Sequence, residues 1–339
     1  MPDAIHNSIA ILLKGSSLTE NEMHAAVLQV MDGNAPSVGL GMLLTGLKLR
    51  GETVDEIVGA ARAMRERVTP IKCRRTGLLD TCGTGGDALS TFNISTATAL
   101  VTAACGVPIA KHSNRSASSV SGSADVLEAL DVRVDLASER VAECIDTIGI
   151  GFCFAPLVHG AMKFAAPVRK QLGFRTIFNL LGPLTNPAGA ECQLLGAGRV
   201  ALAEQLAAAV ARLGTKRTLV VCGNDELDEV SLWGRTTVFR VQGQSIDVSE
   251  WSAERLNLKE CCVSDISVQS PLESAERIRL LVAGERGPAR DIVLANAAAA
   301  LVAAGRSEDP GKAVEMAAAA IDSGATGEVL RRLVEFTKK

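Results

Sequence analysis

The sequence lacks any long uninterrupted apolar run. Its longest candidate, "ISTATALVTAACGVPIA", is short and broken by hydroxyls, so it is expected in a buried core rather than across a bilayer. The first residues, "MPDAIHNSIAILLKG", have neither a basic flank nor an A-x-A cleavage pattern, so no signal peptide is expected. Nine cysteines are present without a C-x-x-C pair, and four histidines (His6, His24, His112, His159) without H-x-x-x-H spacing. These absences argue against a disulfide scaffold and a histidine- or cysteine-held zinc, and point to reduced thiols in a cytoplasm. There is no excess of positive charge. The formal net charge of -3 disfavours a general nucleic-acid or membrane-surface partner, either of which would want a basic face. We find no internal repeat or low-complexity tract. Neither G-x-x-x-x-G-K-[ST] nor a G-x-G-x-x-G running directly into a helix occurs.

What is present is ample core material, 47% hydrophobic over 339 residues, enough for one large domain or two modest ones. The first seventy or so residues predict helices only. Thr19 with Glu22 and Thr53 with Glu56 form capping-box pairs ahead of helical apolar spacing. From about residue 77, short apolar runs ("GLLDTCG", "GVPIAKHS", "KRTLVVCGND") alternate with Ala-rich helical stretches at 95–105, 123–130, 138–148 and 201–213. That alternation predicts an α/β fold whose parallel sheet is covered by helices. "WGRTTVFRV" predicts a more exposed strand, and Ser270-Pro271-Leu272-Glu273 a helix start. The segment 167–189, with three prolines, breaks the alternation. It is expected to leave the sheet and pack with the N-terminal helices, with hinges near 71–76 and 165–195.

Three strand ends carry the chemistry. The first runs into Gly83-Thr84-Gly85-Gly86-Asp87, followed by Thr91, Asn93, Ser95 and Thr96 at an expected helix N-terminus. Glycines let backbone N–H groups approach an anion, and a helix N-terminus favours phosphate, so the stretch is a candidate phosphate cradle. The second, "KHSNRSASSVSGSAD", offers the cations Lys111 and Arg115 and a further helix start at Gly122-Ser123. Together the two loops suit a ligand with more than one phosphate. The third crowds Asp225, Glu226, Asp228 and Glu229 into one loop. Adjacent carboxylates facing a polyphosphate suit Mg²⁺, and spacing alone leaves open whether the pair is 225–226 or 228–229. Arg169 and Arg175 in the inserted segment are candidates for gripping a carboxylate.

"GTGGDALSTFNIST", "KHSNRSASSVSGSADVLEAL", "APVRKQLGFRTIFNLLGPLTNPA" and "GNDELDEVS" resemble, in order and spacing, the anthranilate phosphoribosyltransferase family, as does "GERGPARDIVLANAAAAL". The resemblance spans nearly the whole chain. It implies a small all-helical domain (1–72 plus about 167–192) joined by hinges to a large parallel-sheet α/β domain (73–166 plus 193–339). It also implies a homodimer through the helical domains and a Mg²⁺-dependent transfer between phosphoribosyl pyrophosphate (PRPP) and anthranilate, the third step of tryptophan synthesis from chorismate. By position, Gly83, Gly86, Asp87, Thr91, Asn93, Ser95, Thr96, Lys111 and Ser123 would bind PRPP. Ser95, Asp228 and Glu229 would hold Mg²⁺. Gly83, His112, Asn114, His159, Arg169 and Pro183 would line the anthranilate channel, with Lys111, Asp228 and Glu229 stabilising the departing pyrophosphate. Ser113, Ala88 and Asp131 stand where the family usually has glycine. A side chain at 113 is expected to narrow the aromatic-substrate loop or alter its φ/ψ. Two rivals remain at this stage. One is a pyrimidine nucleoside phosphorylase, whose Lys-x-Ser-Gly-Arg loop "KHSNR" half resembles; the other is a non-catalytic nucleic-acid-binding relative.

Overall fold

The computed structural model describes residues 3–87, 89–115 and 121–338. The chain opens with four helices, α1 (Ala4–Leu13), α2 (Glu20–Met31), α3 (Ser37–Arg50) and α4 (Val54–Arg65). Both expected capping boxes form: Thr19 starts α2 and Thr53 starts α4, each exchanging bonds with the Glu three residues on. Glu56 does more than cap. Fully buried, it also accepts from the Leu18 N–H at 2.9 Å and pairs with Arg50, so one carboxylate ties three helices' ends together.

The α/β part then runs β1 (Leu79–Gly83), α5 (Ile94–Ala104), β2 (Ile109–Ser113), α6 (Ser123–Ala129), α7 (Ser138–Ile148), β3 (Ile150–Phe154). Short helices α8 (Ala155–Val158), α9 (Ala166–Leu172) and α10 (Phe178–Leu181) follow. The chain returns through β4 (Cys192–Gly196), α11 (Val200–Leu213), β5 (Arg217–Gly223), β6 (Thr236–Gln242) and β7 (Ser245–Trp251). It closes with α12 (Val263–Ile266), α13 (Pro271–Val282), α14 (Pro288–Ala303), α15 (Pro310–Asp322) and α16 (Ala325–Thr337).

All seven strands form one sheet in the order β3-β2-β1-β4-β5-β6-β7. The first five are parallel; β6 and β7 add antiparallel to one edge, so the sheet is mixed at that margin. Successive residues face opposite cores, as strand geometry requires. Leu194, Leu219 and Val221 join one core with α5, α13 and α14, while Leu195, Val220 and Cys222 join another with α11 and the N-terminal helices. Val168, Ile177, Phe178, Leu181 and Leu184 of the inserted segment lie in that second core beside Met23, Val27, Leu43 and Ile57. The three chain crossings between these parts run side by side: Thr69 N–H bonds the Val158 carbonyl and Ile71 N–H the Pro187 carbonyl.

Strands β3, β4 and β7 were not expected. The Gly149 C-cap joins α7 directly to β3, so no turn signal separates them. β4 carries a buried Gln193, and β7 is exposed at all but its last residue, so neither shows the apolar run of a central strand. Asp131 takes φ +65°, the left-handed conformation that favours glycine and that Asp tolerates better than most residues. Ala88 and the loop residues 116–120 lie outside the described residues.

Candidate active site

In an open parallel sheet, ligands bind beyond the carboxyl ends of the strands, where the strand order reverses. Here that point is at β1, with β2 and β3 on one side and β4 and β5 on the other. A cleft of about 620 Å³ opens there. Gly83, Gly86, Asp87, Thr91, Asn93, Ser95, Lys111, Ser123, Asp228 and Glu229 line it. So do His112, Asn114, His159, Arg169 and Pro183. Of the binding positions that the resemblance assigned, Thr96 is the exception. It is buried in the first turn of α5, where its N–H bonds the Asn93 side chain, and it does not line the cleft.

The phosphate side is built on β1 and α5. Gly85 and Gly86 take φ of +66° and +84°, which bends the chain back immediately after the strand. Asn93 caps α5: its Oδ1 accepts from Thr96 N–H at 3.1 Å, and its Nδ2 donates to the Ser121 carbonyl at 3.2 Å. Lys111 projects from β2 across the sheet end. Its ammonium donates to the Thr81 carbonyl and, at 3.0 Å, to Ser95 Oγ, which among the described residues leaves one of its three donors free. The Ser123 hydroxyl accepts from Asn114 N–H at 3.1 Å and donates to its carbonyl at 3.2 Å, tying the loop after β2 to the start of α6.

The carboxylate loop follows β5. Asp225 is spent locally, accepting from Val200 N–H at 2.7 Å, and Glu226 accepts from Trp233 Nε1 at 2.8 Å and from Asn224 Nδ2 at 2.9 Å. Asp228 and Glu229 instead enter the cleft. Asp228 accepts from Gly85 N–H at 2.7 Å, and its carboxyl is pushed up to about 7 by burial and by Asp87. Burial and Asp228 also raise Glu229, against the pull of Lys111. Three carboxylates therefore share one half-buried corner with the Lys111 ammonium and the Arg175 guanidinium, an excess of negative charge that a divalent cation would correct. Among the described residues, no three His, Cys, Asp or Glu side chains gather into a self-sufficient metal cage.

The opposite wall comes from the inserted segment. Arg169 is mostly buried, which lowers its pKa. It donates to Asn179 Oδ1 at 3.3 Å and sits 5.6 Å from the Phe178 ring centre. His112 and His159 stack with centroids 5.0 Å apart; burial lowers their pKa values to about 4 and about 3, so both rings are neutral near pH 7. Gln193 of β4 holds the Pro183 carbonyl at 2.6 Å. Arg175 crosses between the walls and donates to the Thr84 carbonyl at 2.6 Å, with its guanidinium against Gly86. Arg115 turns away from the phosphate side to Asp125 and Glu128. Ser113 is buried at the end of β2, its Oγ without a partner among the described residues.

Sequence reasoning missed Asp80, Asn186 and Gly196. A charged residue inside the apolar run "LLDT" was the available signal for Asp80; the other two owe their importance to distant neighbours.

Residues 7–68 match the glycosyl transferase family helical bundle domain, and residues 75–327 the glycosyl transferase family a/b domain. The chain is 47% identical to the anthranilate phosphoribosyltransferase of Geotalea uraniireducens, the match covering 99% of this chain and 100% of the relative. It is 48% identical to that of Pelotomaculum thermopropionicum, over 98% and 96%. The crystal structure of the anthranilate phosphoribosyltransferase of Thermus thermophilus superposes with TM-score 0.93 at 41% identity, over 99% and 100% of the two chains. The Saccharomyces cerevisiae enzyme in complex with PRPP and Mg superposes with TM-score 0.91 at 26% identity, over 100% and 99%. On these matches, the chain belongs to the anthranilate phosphoribosyltransferase family.

Proposed function

We propose that this protein transfers the 5-phosphoribosyl group of PRPP to the amine of anthranilate, releasing pyrophosphate and N-(5-phosphoribosyl)anthranilate. The observation that carries the reading is the two-sided cleft. One wall presents an ammonium, a bent glycine turn and a half-buried carboxylate pair. The other presents a guanidinium and two neutral imidazoles. The first suits a diphosphate with its cation, the second an aromatic carboxylate.

Asp228 and Glu229, with Ser95 nearby, would hold Mg²⁺, whose remaining ligands come from phosphate oxygens and water. The ion supplies charge neutralisation as the C1′–O bond to pyrophosphate breaks. Lys111 adds a fixed positive charge where negative charge builds up, and the turn at 83–87 together with the start of α5 offers backbone N–H groups. Asp87, Thr91, Asn93 and Ser123 position the sugar phosphate. Arg169 orients anthranilate by its carboxylate, while Gly83, His112, Asn114, His159 and Pro183 shape the channel around its ring. The amine attacks C1′ as a neutral nucleophile as the C1′–O bond breaks, and the proton it sheds passes to the departing pyrophosphate or to water. Positioning supplies much of the rate.

Residues 1–72 with about 167–192 constitute the small helical domain in this reading, and closure about 71–76 and 165–195 excludes water. These segments share a core, which α11 and one face of β4, β5 and β6 also join. A homodimer forms through α1 and α3, where Leu13, Val38, Met42 and Leu49 are exposed around one shallow apolar depression. The nine unpaired thiols suit a cytoplasmic setting. Among the described residues, no helix is long and apolar enough to cross a membrane.

The test is the loss of anthranilate fluorescence on adding PRPP and Mg²⁺. The natural chain is expected to turn over. The Asp228→Asn, Glu229→Gln double variant should fall by roughly 100-fold or more in kcat, on the scale of losing preorganised charge stabilisation. Thymidine with phosphate should give no product. A folded protein that leaves anthranilate fluorescence unchanged, or that cleaves thymidine, rejects the reading.

A further inference from the structure

β1 and β2 pair in register only at Leu79 and Ile109, whereas β1–β4 and β2–β3 each run for five pairs. In an evenly spaced parallel ladder, the next rung would join the Thr81 backbone to Ala110 and His112. That rung is replaced by side chains. The Ala110 carbonyl accepts from Asn186 Nδ2 at 2.8 Å, and His112 N–H donates to Asp80 Oδ1 at 3.0 Å. The Thr81 carbonyl, freed from β2, takes the Lys111 ammonium. Asn186 Nδ2 also donates to Asp80 Oδ2 at 2.7 Å, so the two substitutes are bonded to each other. Asn186 Oδ1 accepts from Ala188 N–H at 2.9 Å, fixing the amide's orientation. Asp80 is fully buried, a cost borne only where the group is needed and paired.

We infer that Asp80 and Asn186 are positioning residues. Together they hold β2 away from β1 at its carboxyl end, so that Lys111 reaches the phosphate side while His112 is presented to the opposite wall. The inference rests on the proposed transferase reading for the kinetic consequence, but not for the geometry. Asn186 lies on the return from the inserted segment, so the pair also connects the chain that follows Pro183 to the strand that carries Lys111.

The reciprocal exchange tests it. Asp80→Asn or Asn186→Asp alone sets like groups against each other. The double exchange restores donor to acceptor between the two side chains with net charge unchanged, and acceptors for the His112 N–H and Ala188 N–H remain, but the Ala110 carbonyl loses its donor and faces the new carboxylate. Each single variant is expected to lose roughly tenfold or more in kcat, the scale of a small misplacement of reacting groups. The exchanged pair should recover only part of that loss, because the Ala110 carbonyl stays without its donor. A second readout needs no turnover: the ring NMR signals of His112 should move in the single variants and return toward their natural positions in the exchanged pair. Asn186→Ser, at a half-buried position, keeps the test open where Asp80→Asn fails to fold; it should lower kcat and move the His112 signals. Natural kcat and unmoved His112 signals in the Asn186 variants would overturn the inference. Absence of turnover in the natural chain would remove the transferase reading and leave the His112 signals to decide the geometry.

Discussion

Gly196 ends β4 directly beneath the Asp228 backbone, and a Cβ there would fall on the Asp228 carbonyl. Gly196→Ala should therefore displace the carboxylate loop. We expect a loss of at least tenfold in activity, reported by the fluorescence assay, beside the 1–3 kcal/mol destabilisation typical of overpacking. Arg169→Ala removes a charged donor from the anthranilate wall. Hydrogen bonds to charged groups are worth about 1.5–3 kcal/mol, so KM for anthranilate should rise roughly 10- to 150-fold with a smaller change in kcat. An unchanged KM would move the carboxylate site elsewhere. At this scale the sequence was informative where a residue's role depends on its own neighbours in the chain. The glycine turn, the α5 cap and the Lys111 loop were legible because local backbone chemistry makes them. Gly196 and Asn186 were not, because each matters through a residue far along the chain.

At the scale of elements, His112 on β2 and His159 after α8 stack with both rings buried. Their folded pKa values lie below the unfolded value of 6.5, so in acid the unfolded chain binds protons that the folded chain refuses. The stability they contribute is complete above about pH 6.5 and is lost as pH falls toward 4. For His112 the fall from 6.5 to about 4 corresponds to about 3 kcal/mol. Urea midpoints at pH 7 and pH 4 should show a smaller acid loss in His112→Gln than in the natural chain; equal losses would contradict this assignment. Helix starts were readable one by one, because a capping box is a local pattern of hydroxyl and carboxylate. The strands were harder. Buried Gln193 in β4 and the exposed face of β7 depart from apolar patterning because each serves neighbours the sequence does not display.

For the whole molecule, the exposed apolar surface on α1 and α3 is where a second copy is expected to dock. Leu49→Arg with Leu13→Asp should shift sedimentation from dimer to monomer at micromolar concentration while far-UV circular dichroism is unchanged. A monomeric natural chain, or a variant still dimeric, would rule out that face.

The sequence by itself determined the helical start, the alternation of strand and helix, and the three polar strand ends, because caps, glycine turns and apolar periodicity act over a few residues. Local spacing left open which carboxylate pair enters the cleft; the family resemblance chose Asp228 and Glu229, and the tertiary structure supplies the reason, since Val200 and Trp233 claim Asp225 and Glu226. Only the tertiary structure decided that β1 and β2 part after one rung, because the side chains that fill the gap come from distant parts of the chain. Contacts made across the fold are set by packing, and packing is not written in local spacing.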